Sequence, residues 1–189
     1  DLLTQVSSAK SQLSGTLRIA APLSFGLKHL SPVINEFASN HPGLTVDLNF
    51  ADHQINLIED GIDVAIRIAN LEPSSLVARR FTSINHCICA SPEYIKRYGA
   101  PSHPSDLADH KLLRYKSPSG LNHVLTSKDG EQFELPTKSA LMSNNGDFLR
   151  LAALDGLGLY FCPTFLCHEE LSRGDLVQVL KGYDLVKLG

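Results

Sequence analysis

The 189-residue sequence holds no apolar run approaching the roughly 20 residues that cross a bilayer, which excludes a membrane-spanning helix and any role built on one. It also lacks a basic block. Seventeen Lys and Arg against 20 Asp and Glu leave a net charge of −3, so nothing in these residues is suited to gripping a phosphate backbone. Any role with nucleic acid must then belong to another segment or a partner. The opening residues Asp1-Leu2-Leu3-Thr4-Gln5 do not show the basic-then-apolar order of a secretory signal. Cysteine is sparse: Cys87, Cys89, Cys162 and Cys167 are too few for a disulfide scaffold of this length, and a reducing cytoplasm is the expected setting.

Signatures of catalysis are missing as well. There is no nucleophile elbow, P-loop or dinucleotide fingerprint, and Gly156-Leu157-Gly158 lacks a correctly spaced third glycine. The eight histidines are scattered rather than set at metal-ligand spacing. Cys87 and Cys89 share one face of a strand, and Cys162 precedes a helix bearing Cys167 and His168. Cys-x-Cys on a strand lacks the turn of a zinc knuckle, and free cysteine is commonly a small buried hydrophobe. No catalytic residue, metal or cofactor is therefore expected, and no redox switch.

What is present is a hydrophobic fraction of 43%, enough for a real core, in a length that suits one large domain or two small lobes. Residues 2–13 read as the tail of a helix belonging to something upstream, broken at Ser14-Gly15. Leu17 to Ala21 is strand-like and closed by Pro22. Leu27, Leu30, Ile34 and Phe37 recur at helical spacing around Pro32, so the helix either kinks there or starts with Ser31 as N-cap and Pro32 at N1. Leu44 to Phe50 alternates apolar and polar, the period of a half-buried strand. Asp52 can cap a short helix ending at Gly61. Strands are predicted at 63–68, 76–81 and 85–90, and alternation of strands with helices argues for βαβ units and a largely parallel sheet.

Beyond Ser91-Pro92, residues 93–98 read as a helix and 111–135 as short strands, with a hairpin corner at Lys128-Asp129-Gly130. Asn145 caps a helix whose apolar side is read as Phe148, Leu151, Ala152 and Leu154, ending at Asp155-Gly156. Leu157 to Cys162 forms another strand, Pro163 opens a helix, and Leu176 to Leu180 gives a last strand.

In open α/β sheets ligands sit beyond the carboxyl ends of strands, where helix starts offer N–H groups. Three corners fit: Pro22-Leu23-Ser24-Phe25, Ala51-Asp52-His53 and Asn144-Asn145-Gly146. Ser24 offers a hydroxyl to a polar ligand or caps its own helix, and Phe25 lines a pocket or packs in the core. Arg67, in the apolar run Ala65-Ile66-Arg67-Ile68, must meet water, a ligand carboxylate or an ion-pair partner such as Asp63. Asn70 bonds a ligand or turns the chain, Asn144 and Asn145 are ligand groups or caps, and Phe161 is pocket wall or core.

The ordered set of Gly15-Thr16-Leu17-Arg18-Ile19-Ala20-Ala21-Pro22, Pro42-Gly43-Leu44, Asp60-Gly61-Ile62-Asp63-Val64-Ala65-Ile66-Arg67, Leu76-Val77-Ala78-Arg79-Arg80, Asn144-Asn145-Gly146-Asp147, Gly156-Leu157-Gly158-Leu159 and Gly174-Asp175-Leu176-Val177 resembles the effector-binding domain of LysR-type transcriptional regulators. The text from Asp63 to Arg80 is most similar to the CrgA-like branch. The resemblance implies a type II periplasmic-binding-protein-like α/β fold of two Rossmann-like lobes, with a small-molecule effector between them. On that pattern 1–14 is the tail of a linker helix, 15–88 lobe I, 89–180 lobe II, and 181–189 the start of a return toward lobe I.

The resemblance further implies DNA binding through an N-terminal winged helix-turn-helix outside this sequence. It implies a homodimer or tetramer pairing the helix near 53–60 with the helix near 146–155 of the mate, through apolar residues such as Ile55 or Leu149. Arg67 and the helix starts point to an organic acid as effector. A transporter's solute-binding protein shares the fold and is the alternative, and a small enzyme on the same scaffold is the third reading.

Overall fold

A computed structural model describes residues 13–51, 57–69, 75–116, 124–136 and 138–185. The chain divides into two compact units, residues 1–67 and 68–189.

In the first unit, β1 (Gly15–Ala21) lies between β2 (Leu44–Phe50) and β3 (Val64–Ala65), both parallel to it. Parallel strands need a crossover, and the helical segment between β1 and β2 supplies it. That segment runs without a break through a helical turn at Leu23–Phe25, a π-helical turn at Gly26–Leu30 and helix α1 (Ser31–Asn40). Neither alternative read around Pro32 holds in simple form. Proline has no N–H to return to the turn before it, and the chain widens that turn to i→i+5 spacing, where the Ser31 N–H bonds the Gly26 carbonyl. The Ser31 hydroxyl also donates to the Gly26 carbonyl, at 3.1 Å, so Ser31 sits inside the helical run rather than at its cap.

The strand expected at 63–68 shortens to β3, held by Asp63 N–H to Arg18 O (3.0 Å) and Ile66 N–H to Ala20 O (2.8 Å). The proposed helix from Asp52 falls partly outside the described residues. Its stop does not: Gly61 takes φ +62°, with Ile62 N–H bonding Leu57 O and Gly61 N–H bonding Ile58 O, a Schellman-type end.

The second unit carries a five-stranded mixed sheet of β4 (His86–Ala90), β5 (Leu112–Tyr115), β8 (Leu141–Ser143), β9 (Leu159–Pro163) and β10 (Val177–Val179), in the order β10-β4-β9-β5-β8. β8, β5 and β9 are mutually parallel, while β4 runs against both β9 and β10. A separate antiparallel sheet joins β11 (Tyr183–Leu185), β6 (Val124–Ser127) and β7 (Gln132–Glu134). The Lys128-Asp129-Gly130 corner turns β6 into β7, with Gly130 at φ +85°. The helices are α2 (Pro92–Tyr98), capped by the Ser91 hydroxyl, α3 (Gly146–Leu154) and α4 (Thr164–Arg173).

Two apolar clusters fill this unit. Ile88, Ala90, Leu112, Leu159 and Phe161 belong to one; Leu113, Leu149, Ala152, Ala153, Tyr160 and the four cysteines belong to the other. Gly158 makes the approach of β9 to β5 possible, because a Cβ there would lie 2.4 Å from the Lys111 carbonyl oxygen.

Several expectations change. No strand forms at 76–81, where Val77 is 102% and Phe81 65% exposed. Strand propensity reports fit to a half-buried pleated surface, and this run has no partner strand. The span expected for lobe I ran to residue 88, but β4 crosses that point and pairs wholly within the second unit. Residues 183–185 pair with β6 in the second unit. Residues 1–12 of the expected linker-helix tail lie outside the described residues.

Candidate functional site

The first unit's three strands are parallel and in register, so Ala21, Phe50 and Ala65 end at one edge of the sheet. Two of the predicted residues stand at the corner after β1. Ser24 is buried, and Phe25 is half-buried with its ring 5.2 Å from that of His29. Gly26 permits this corner to lie against β2, since a Cβ there would fall 2.3 Å from the Phe50 ring. Arg67, half-buried, follows β3 by two residues at the same edge. Asp63, its candidate ion-pair partner, accepts the Arg18 backbone N–H at 2.8 Å. Ser24, Phe25 and Arg67 are thus gathered at the carboxyl end of one sheet, as βαβ geometry requires. Asp52 and Asn70 lie outside the described residues.

The second unit repeats the arrangement. β8, β5 and β9 end together at Ser143, Tyr115 and Pro163, and helices α3 and α4 start from that edge. Asn145 is the cap of α3: its side-chain oxygen accepts the Phe148 N–H at 2.8 Å, and its own N–H donates to the Ser143 hydroxyl at 3.0 Å. Asn144 beside it is exposed. The Tyr160 hydroxyl donates to the Gly146 carbonyl at 2.9 Å, and burial pushes that phenol well above its ordinary pKa. Gly146 lets α3 start against α4, because a Cβ there would be 2.6 Å from Leu166 Cδ1. Arg150 of α3 pairs with the buried Glu170 of α4 and lies 3.6 Å from Asp147, tying the two helices together.

Of the two readings left open for Phe161, core packing is the one seen: it lies mid-strand, 5% exposed, directly opposite Ile88 in the core. One reading of side-chain direction is corrected. Leu149, named as an exposed contact residue, is fully buried. The buried stripe of α3 is Leu149, Ala152 and Ala153, while Phe148 and Leu151 are about half exposed. Both stripes are apolar at helical spacing, so periodicity does not select between them. Ile55 is outside the described residues.

The cysteines, read from sequence as small buried hydrophobes, are all buried, and the structure adds that their sulfurs lie within 4.8 Å of one another. The convergence arises across the β4–β9 ladder and from the first turn of α4, not from a knuckle turn, which is why local spacing did not reveal it.

Parallel strands with helix starts along one edge, found in both units, define an α/β ligand-binding domain of the type II periplasmic-binding-protein-like class. The profile described as "LysR substrate binding domain" matches residues 10–187, and the chain belongs to that family, the effector-binding part of LysR-type regulators. An HTH-type transcriptional regulator of Haemophilus influenzae is 32% identical over 185 residues, covering 98% of this chain and 64% of its own length. Full-length AphB of Vibrio cholerae, a virulence activator of the same family, aligns with a TM-score of 0.83 and 26% identity over 99% of this chain and 64% of its own. The regulatory domain of CrgA from Neisseria meningitidis aligns at 0.76 and 26% identity, covering 93% and 89%. The chain spans less than two thirds of the curated relative's length. These relatives are regulators, not transporter solute-binding proteins.

Proposed function

We propose that this chain is the sensing domain of a cytoplasmic LysR-type regulator that binds a small organic acid and turns over no substrate. Arg67 beside the Ser24 corner, at the carboxyl edge of a parallel sheet, carries this reading. A guanidinium presents a planar fork that matches a carboxylate in two parallel hydrogen bonds, and a helix start adds partial positive charge. Asn144 and Asn145, at the helix-start edge of the second unit, and Asp52 and Asn70 are the further residues proposed for effector binding. Phe25 supplies an apolar wall.

Occupancy regulates only if the ligand prefers one conformational state over another. The proposed output is a change in how copies of the regulator assemble on DNA, which a helix-turn-helix segment of the longer protein contacts. Exposed Phe148 and Leu151 on α3 are the apolar residues offered to a second copy, in place of Leu149.

The test is a thermal-shift titration of the chain against mono- and dicarboxylates. Stabilisation rising with ligand concentration is expected for at least one acid, by mass action. In Arg67→Ala the same acid should lose at least about tenfold in affinity, the loss of one charge-assisted contact. Unchanged affinity in that variant would remove Arg67 from the site.

A further inference from the structure

Four cysteines from three elements meet in the second unit. Cys87 and Cys89 stand two apart on β4 and therefore share a face, and Cys162 of β9 lies directly opposite Cys87 in the antiparallel ladder. Cys167 returns to the same point from the first turns of α4. The sulfur separations are 3.1 Å for Cys162–Cys167, 3.6 Å for Cys87–Cys167 and for Cys89–Cys162, and 3.7 Å for Cys87–Cys162. No residue of the four is more than 2% exposed.

These spacings have a specific chemical meaning. A tetrahedral ion with metal–sulfur bonds of about 2.3 Å places its ligand sulfurs roughly 3.8 Å apart. Three of these separations fall within a few tenths of that value, and all four sulfurs lie within 4.8 Å of one another. Thiols alone make a poor occupant of this space, since S–H is a weak donor and sulfur a weak acceptor. The quartet sits in an apolar shell of Leu113, Leu149, Ala153 and Leu176, where thiolate charge is costly unless a cation balances it. The amino end of α4, which carries Cys167 and directly follows Cys162-Pro163, adds positive partial charge on the side where two of the sulfurs lie.

We propose that Cys87, Cys89, Cys162 and Cys167 form a tetrathiolate site for a thiophilic d10 cation, with Zn2+ as the first occupant. Binding breaks four S–H bonds, releases four protons to solvent and forms four sulfur–zinc bonds, leaving a site charge of 2−. No electron is transferred. The ion pins β4, β9 and α4 together and so supports the second unit structurally, independently of the effector reading.

The experiment uses the whole 189-residue chain, produced in zinc-supplemented medium and purified under reducing conditions without chelator. Elemental analysis is expected to find one zinc per chain. After acid stripping, Co2+ should give thiolate-to-cobalt charge-transfer bands together with the intense visible bands of a tetrahedral centre, and Zn2+ should bleach both. The metal-free chain should melt lower than the zinc-loaded one. In the double variant Cys87→Ser, Cys162→Ser, zinc content should fall to background. Because that variant can fail for want of folding, the cobalt spectrum of the unaltered chain carries the decision. A metal-free chain with four titratable thiols and no cobalt bands would overturn the site. So would an intact mass lowered by two or four hydrogens, which would mean disulfides instead.

Discussion

The two units solve the problem of burying a sheet by different means. In the first, among the described residues, the buried apolar side chains are Ala20, Ala21 and Ile34, and Leu27, Val33, Ile58 and Val64 remain substantially exposed. Its order rests on the β1–β2 ladder, seven residues long and in register throughout. In the second unit two packed clusters surround a mixed sheet, and large side chains such as Tyr94, Leu112, Leu113, Leu149 and Tyr160 are essentially sealed from water. Parallel sheets ordinarily need cover on both faces, and among the described residues the first unit supplies less of it. The residues nominated for carboxylate recognition, Ser24, Phe25 and Arg67, belong to it. Ligand-binding regions are commonly drawn from the low-stability part of a fold, where a bound molecule has ordering left to do.

The contrast is broken or sharpened most strongly in the core. Leu113→Ala removes a fully buried side chain from a central strand and should cost about 2–5 kcal/mol, whereas Ile34→Ala, in the thin core, should cost clearly less. Hydrogen exchange read peptide by peptide checks both, and equal losses would mean that the first unit is as well packed as the second. Next in size is Gly158→Ala, which forces a methyl against the Lys111 carbonyl and should cost about 1–3 kcal/mol. Gly182→Ala, with open space around its Cβ position, is the matched control and should leave the denaturation midpoint nearly unchanged. Smallest is Asn145→Ala, which leaves the Phe148 N–H without its cap and should cost about 1 kcal/mol, with Asn145→Asp restoring most of it. Since α3 is held by packing on Leu149, Ala152 and Ala153 as well, the loss should register in α3 peptides and not spread to the first unit.

What could be read from residue order follows the range of each interaction. The alternation of Leu44 to Phe50, the Asn145 cap and the stop at Gly61 are local signals, and each appears in the structure where local chemistry put it. The helical run past Pro32 was readable only in part, since the widened turn that accommodates it depends on contacts back to Gly26. The run at 76–81 misled because a strand needs a neighbour as well as suitable residues. On α3 two apolar stripes compete, and only the position of β5 and β9 decides that Leu149 turns inward while Phe148 faces out. The strand-to-helix corners were legible because such turns are local. The cysteine quartet was not, because Cys87 and Cys162 are 75 residues apart and meet only through strand register.

The hydrogen bond from Tyr160 to the Gly146 carbonyl has a mechanical consequence. It fastens the opening turn of α3 to β9, and a buried phenol deprived of its acceptor would cost about 1–3 kcal/mol. Sliding the start of α3 along β9 therefore has to break a bond that water cannot replace.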